Sequence, residues 1–356
     1  MSRLFRPGSL FFLGLVLSAA ATFGCAPRTE HVLSGRTMGT TYTVKLVGRP
    51  WSGTESLKKK IDRRLEELNR IFSPYLADSE ISRFNRFAVA GEAFAVSAEF
   101  RRVFEASAQV YAWSRGAFDP TVGPLVDLWG FGRGPARRAP PAEEEIAAAR
   151  AAVGLTRVAL RGEEGLVKED PRLALDFSAI AKGYGVDETA RLLRAAGWRD
   201  FLVEIGGELY ASGRRADGSP WRVGIARPDS RARPDDVYRV VEVSDAALAT
   251  SGDYRQFFLF EGRRYTHVID PTTGRPVSNG VVSVTVLAPD CTTADALATA
   301  VMVLGADEGL ALLERLEAVE GLLVVETAEG GFLDRPTSGF PLAGGSGLVD
   351  RKRPAP

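Results

Sequence analysis

The segment "YTHVIDPTTGRPV" sets His267 three residues before Asp270. An imidazole titrates near neutral pH, and one oriented by a carboxylate is suited to act as a general base. The chain has two histidines, and His31 follows closely on the N-terminal segment, which singles out His267. Asp270 opens the pentad "DPTTG", nearly a repeat of "DPTVG" at Asp119–Gly123. Taken alone, Asp-Pro-Thr-x-Gly is a turn: Pro presets φ, Asp bonds its own downstream amides, and Gly admits positive φ.

In "CTTADALATAVMVLG", Asp295 and Thr299 lie four residues apart, so a helix presents carboxylate and hydroxyl on one face. Two oxygen ligands suit a hard cation such as Mg²⁺, which takes few protein ligands and completes its shell with water and phosphate. The same spacing has a purely structural reading, because Thr292 with Asp295 also fits a capping box. In "DFSAIAKGYGVDETA", Gly183 and Gly185 near a helix start let backbone approach a phosphate and Lys182 offers a point charge, although neither the Walker nor the dinucleotide glycine pattern is present. Gly206-Gly207 in "EIGGELYASG" reads equally as a strand bulge, a tight turn or a ligand cradle. Met38 in "GRTMGTTY" and Tyr75 in "FSPY" attract no functional reading unaided.

These residues need elements to position them. "TTYTVKLVG" alternates as a strand, and Leu57, Ile61, Leu65, Leu68 and Phe72 follow a helical period until Ser73-Pro74. Ser97 opens a second amphipathic helix that ends just before the first pentad. "GRGPARRAPPAEEE" predicts an exposed connection near residues 133–142 and a boundary between subregions. "LALDF" predicts a short strand, followed by a helix through "AKGYGVDETARLLRAAG" and strands at "FLVEI", "WRVGIA", "YRVVEV", "RQFFLF" and "VVSVTVLA". A helix pair, "TTADALATAVMVLG" and "DEGLALLERL", precedes the strand "GLLVVET". Short Gly- and Pro-marked turns between strands favour largely antiparallel pairing with packed helices, an α+β fold. One domain over residues 25–335 and a flexible tail over 336–356 are expected.

With 45 basic and 45 acidic residues the net charge is zero, and no Lys/Arg block resembles a nucleic-acid footprint, so no nucleic-acid partner is expected. At the N-terminus, Arg3 and Arg6 precede the apolar run "LFFLGLVLSAAA" and then "TFGC". This looks like a bacterial lipoprotein signal over residues 1–24, with Cys25 lipidated as a membrane anchor and the protein exported to the periplasm or cell exterior; Thr22 departs from the usual aliphatic residue.

Read in order, "GRTMGTTYTV", "FSPYLADSEISRFN", "GAFDPTVGPLVDLWGFG", "DFSAIAKGYGVD", "VEIGGELYASG", "ATSGDYRQFF", "RYTHVIDPTTGRPV" and "TTADALATAVMVLG" resemble the ApbE family of FAD:protein FMN transferases, from about Gly35 to about Val325. The resemblance implies an α+β enzyme that moves the FMN half of FAD onto a threonine of a partner flavoprotein, releasing AMP with the help of Mg²⁺. It implies FAD contacts at Met38, Tyr75, Ala117, Phe118, Asp119, Lys182, Glu188 and Ile269. It places the metal on Asp295, Thr299 and the carbonyl of Gly185, and makes His267 the base, with Asp270 second or as its orienter. Gly185 stands where the family commonly has Ala, and "DFSAIAKG" replaces the commoner "DLGGIAKG". Two other readings stand beside it: an Mg²⁺-dependent FAD pyrophosphatase giving FMN and AMP, and a non-catalytic flavin-binding lipoprotein.

Overall fold

A computed structural model describes residues 28–48, 53–233 and 236–342. The expected signal and Cys25 lie outside the described residues, as does "GGSGLVDRKRPAP".

Eight strands form one sheet whose spatial order follows the chain: β1 (Thr29–Thr37), β2 (Thr40–Gly48), β3 (Asp200–Ile205), β4 (Glu208–Ser212), β5 (Ala246–Gly252), β6 (Val281–Ala288), β7 (Glu320–Glu326) and β8 (Phe332–Pro336). Every neighbouring pair is antiparallel. Between β2 and β3 the chain inserts α1 (Thr54–Phe72), α2 (Glu80–Arg86), α3 (Ala98–Trp113), α4 (Gly123–Leu128), α5 (Glu143–Arg150) and α6 (Ala181–Ala195). α7 (Cys291–Leu304) and α8 (Ala306–Leu313) join β6 to β7.

Period-two side chains divide the sheet between two cores. On β3, Phe201, Val203 and Ile205 enter the cluster shared with the helices, and Leu202 enters the other. α1 turns Leu57, Ile61, Leu65, Leu68 and Phe72 into the helix-side core, each such burial contributing about 1.5–3 kcal/mol. The opposite face is covered by the hairpin of Trp221–Ala226 with Val237–Val243. Residues 336–342, expected in the tail, belong to this second layer. Thr337 Oγ1 accepts from Gly321 N at 2.9 Å, Phe340 is buried, and Leu342 bridges Val241.

Ser97 caps α3 by accepting from Phe100 N at 3.2 Å, as its position predicts. "LALDF" joins no ladder. The Asn85 amide takes the place of a neighbouring strand there, donating to Leu175 O and accepting from Leu175 N, both at 2.8 Å. The "GRGPARRAPPAEEE" stretch is a surface connection, and the helices on its two sides meet: Leu125 and Trp129 pack with Ile146 and Ile269 in one small cluster.

Candidate active site

A cavity of about 1030 Å³ lies where the β1–β2 turn, the end of α1, the start of α6 and the ends of several strands converge. Thr37 pairs with Thr40, so Met38 and Gly39 form a two-residue hairpin turn with φ of 48° and 74°. Gly accepts this conformation without cost, whereas a methionine held there costs on the order of 1–3 kcal/mol. The turn sets Met38 on the cavity wall. Tyr75, 70 % exposed, stands at the rim, just past the Pro74 that stops α1.

Charge gathers at the N-terminal end of α6. Gly183 allows a close crossing with α7, since a Cβ there would stand 2.2 Å from the Cys291 carbonyl oxygen. At that range Gly183 N donates to Asp295 Oδ2 at 3.0 Å. Lys182 Nζ lies 2.7 Å from Glu208 Oε1 and 3.8 Å from Asp295 Oδ1. Burial acts to lower the Lys182 pKa, yet Asp295 and Glu208 together push it well above the usual lysine range, so the ammonium stays charged. Glu208 is 4 % exposed and its Oε2 has no partner among the described residues. Burial raises its pKa, with Asp295 adding to the shift and Lys182 opposing it. Glu208 escaped the sequence reading. Its signal was an acid directly after Gly206-Gly207, opening a strand that is buried throughout.

Thr299 lies one turn beyond Asp295 on α7, and its hydroxyl shares a 3.1 Å hydrogen bond with Ser251 on β5. Asp295, Thr299 and Ser251 all line the cavity. The capping reading of Thr292 with Asp295 fails: Asp290 caps α7 by accepting from Thr293 N at 2.8 Å. Thr292 instead donates to Asp187, whose pKa burial pushes up to about 6. Asp295 is therefore left for the cavity. Among the described residues no group of three or more His, Cys, Asp or Glu side chains is arranged to hold a metal. One carboxylate and one hydroxyl fit Mg²⁺, which binds through one or two carboxylates, water and substrate phosphate.

His267 also lines the cavity. Its Nδ1 lies 3.3 Å from the Gln256 carbonyl and its ring meets Phe131 edge-on at 6.4 Å. A carbonyl only accepts, so Nδ1 carries the proton and Nε2 is the basic nitrogen. Burial lowers the His267 pKa, Lys182 lowers it further, and the Gln256 carbonyl opposes both. The orienting group is thus Gln256, not Asp270. The Asp270 carboxylate is engaged in its own turn, accepting from Thr272 N at 2.8 Å and Thr273 Oγ1 at 2.9 Å.

The first pentad behaves alike. Asp119 Oδ1 accepts from Thr121 N at 2.8 Å and Oδ2 from Leu155 N at 3.2 Å, and burial raises its pKa. Ala117, Phe118, Asp119 and Ile269 all line the cavity, so both pentads border one site. They are also tied together, because Trp129, just after the first, donates its indole N–H to the carbonyl of Gly274 in the second at 2.8 Å.

Two expected residues sit elsewhere. Glu188 is six residues beyond Lys182 on α6, so it faces away from the cavity; Arg64 Nη2 lies 2.7 Å from its Oε2, and Arg191 pairs with its Oε1. The Gly185 carbonyl accepts from Thr189 Oγ1 at 2.8 Å within the helix and is not part of the cavity wall. Gly185 matters through its missing side chain, since a Cβ would stand 3.1 Å from Met38 Cε.

A dinucleotide-sized cavity with a fixed cation, a carboxylate–hydroxyl pair and one basic imidazole defines an enzyme acting on a large phosphate-bearing ligand. The chain belongs to the ApbE family, whose model matches residues 38–323. It is 45 % identical over 319 residues to the FAD:protein FMN transferase of Vibrio cholerae, covering 89 % of this chain and 94 % of the relative. It is 36 % identical over 334 residues to that of Haemophilus influenzae, covering 92 % and 95 %. Among solved structures, the flavin transferase ApbE from Vibrio cholerae superposes with a TM-score of 0.81 at 44 % identity, covering 88 % of this chain and 99 % of that one. The apo flavinyl transferase ApbE of Pseudomonas stutzeri gives 0.77 at 40 %, covering 87 % and 95 %.

Proposed function

We propose that this chain is an FAD:protein FMN transferase that uses Mg²⁺ and delivers the FMN half of FAD to a threonine hydroxyl of a partner flavoprotein. The observation that carries the reading is one cavity lined by Lys182, Asp295, Thr299 and His267, in a chain whose relatives share the transferase name over nearly their whole length. Asp295 and Thr299 would hold the cation, which when bound neutralises pyrophosphate charge. Lys182 supplies a fixed positive charge for the same phosphates. Nε2 of His267 takes the threonine proton as Oγ attacks the FMN phosphorus. The new P–Oγ bond forms, the P–O bond to AMP breaks, and AMP leaves with the electron pair. Phosphoryl transfer needs mainly positioning and charge neutralisation, which are what these residues provide. Export and anchoring through a lipid on Cys25 complete the proposal, placing the reaction at the outer face of the membrane.

The test incubates the mature chain with FAD and Mg²⁺, with and without an acceptor domain that carries its flavin on threonine. Flavin retained on the acceptor after denaturation, with AMP released, is expected. AMP without retained flavin would establish a pyrophosphatase, and no AMP in either case a flavin-binding protein.

A further inference from the structure

The hairpin over the second core has two unlike edges. Strand Val237–Val243 has a neighbour on each side, the paired strand and, through Val241, Leu342. Strand Trp221–Ala226 pairs only with Val237–Val243 among the described residues. Beyond that pairing, no described main-chain or side-chain group bonds the backbone of Arg222 to Ile225.

This open edge borders the active-site cavity. Val223, Gly224, Ile225 and Ala226 line it in succession. Side chains alternate across a strand, so a cavity touching four consecutive residues meets the strand edge-on and faces its backbone groups. Native edges are usually blunted by Lys, Pro or a covering element. Val223-Gly224-Ile225 carries neither charge nor proline, and Gly224 is exposed. The four residues extend about 13 Å, enough to seat a reacting residue with a neighbour on each side.

We propose that this edge receives an extended segment of the acceptor protein as an added strand, so that main-chain hydrogen bonds carry the acceptor past the cavity while one side chain enters it. The inference rests on the transferase reading, which makes the second substrate a polypeptide. Recognition by strand addition takes affinity from backbone pairing and selectivity from alternate side chains. The threonine is thereby selected by register as well as by shape.

Hydrogen exchange on the full mature chain tests this, with FAD bound and an acceptor domain whose flavin-bearing threonine is changed to alanine. The outward-pointing amides among residues 222–226 are expected to slow by about tenfold or more on adding the acceptor, alternating with amides already held by the partner strand. In the acceptor, proline scanning around the threonine should abolish transfer at every second position. Unchanged exchange at residues 222–226 while the wild-type acceptor is still flavinylated overturns the proposal. Failure to flavinylate the wild-type acceptor would instead defeat the transferase reading.

Discussion

Two buried glutamates that contact α6 side chains, one on the helix and one on β4, stand in opposite states. Midway along α6, Glu188 has both oxygens engaged, Oε2 by Arg64 Nε and Nη2 at 3.0 and 2.7 Å and Oε1 by Arg191, while Arg64 also holds Glu99 at 2.8 Å. Where Lys182 of α6 meets the cavity, Glu208 of β4 has no partner for Oε2 among the described residues, and the second carboxylate, Asp295, stands 3.8 Å from Lys182. A saturated network holds helices together and has nothing to offer a ligand. A buried, half-satisfied one carries a desolvation cost that an incoming phosphate or cation can relieve. The difference locates the chemistry better than residue type does, because Glu188 and Glu208 are the same amino acid.

The sharpest way to break this contrast is at Asp295. Asp295→Ala is expected to lower kcat for FMN transfer about a thousandfold and to make the residual rate indifferent to chelation of Mg²⁺. Retained metal-dependent activity would move the cation elsewhere. His267→Gln should cost about a hundredfold or more in transfer, with FAD affinity kept, as read by flavin fluorescence titration. Because burial and Lys182 lower its pKa, His267 stays neutral to a lower pH than a free imidazole. Wild-type kcat/KM should therefore hold through pH 7 and fall only as pH drops below the ordinary histidine range near 6.5. The glutamine variant should lose that acidic limb. Glu208→Gln should reduce kcat/KM for FAD about tenfold, the scale of one hydrogen bond to a charged group, with a lowered denaturation midpoint, since the buried Lys182 ammonium loses the charge of its 2.7 Å partner.

Much of the fold and part of the site were legible in the sequence, the contrast between the two glutamates was not, and the failures have a common cause. Periodicity and caps marked α1 and α3 because each rule concerns residues within one element, and the α+β antiparallel reading followed from short turns. Asp295, Thr299 and His267 could be named because their spacing is local, and the fold brings all three to one cavity. What spacing could not convey was which partner satisfies which group. The Asp270 carboxylate turned to its own amides, Glu188 to Arg64 124 residues away, and His267 to the Gln256 carbonyl. Glu208 depends on Lys182 and Asp295, which only folding makes neighbours. The short strand expected at "LALDF" failed similarly, since a distant Asn85 supplies the bonds a strand would have made.

The smallest effect on turnover is expected at the saturated network around Glu188, which makes it the control for the contrast. Glu188→Gln leaves its partners close to water and with other acids: Arg64 keeps Glu99 and Glu67, and Arg191 is more than half exposed. The loss is that of charge-assisted hydrogen bonds at one buried carboxylate, about 1–3 kcal/mol, visible as a lowered denaturation midpoint. kcat and the KM for FAD should stay within about twofold, because no cavity-lining group changes partner. A large rise in the KM for FAD at unchanged stability would place Glu188 back in the flavin site and dissolve the distinction between the two glutamates.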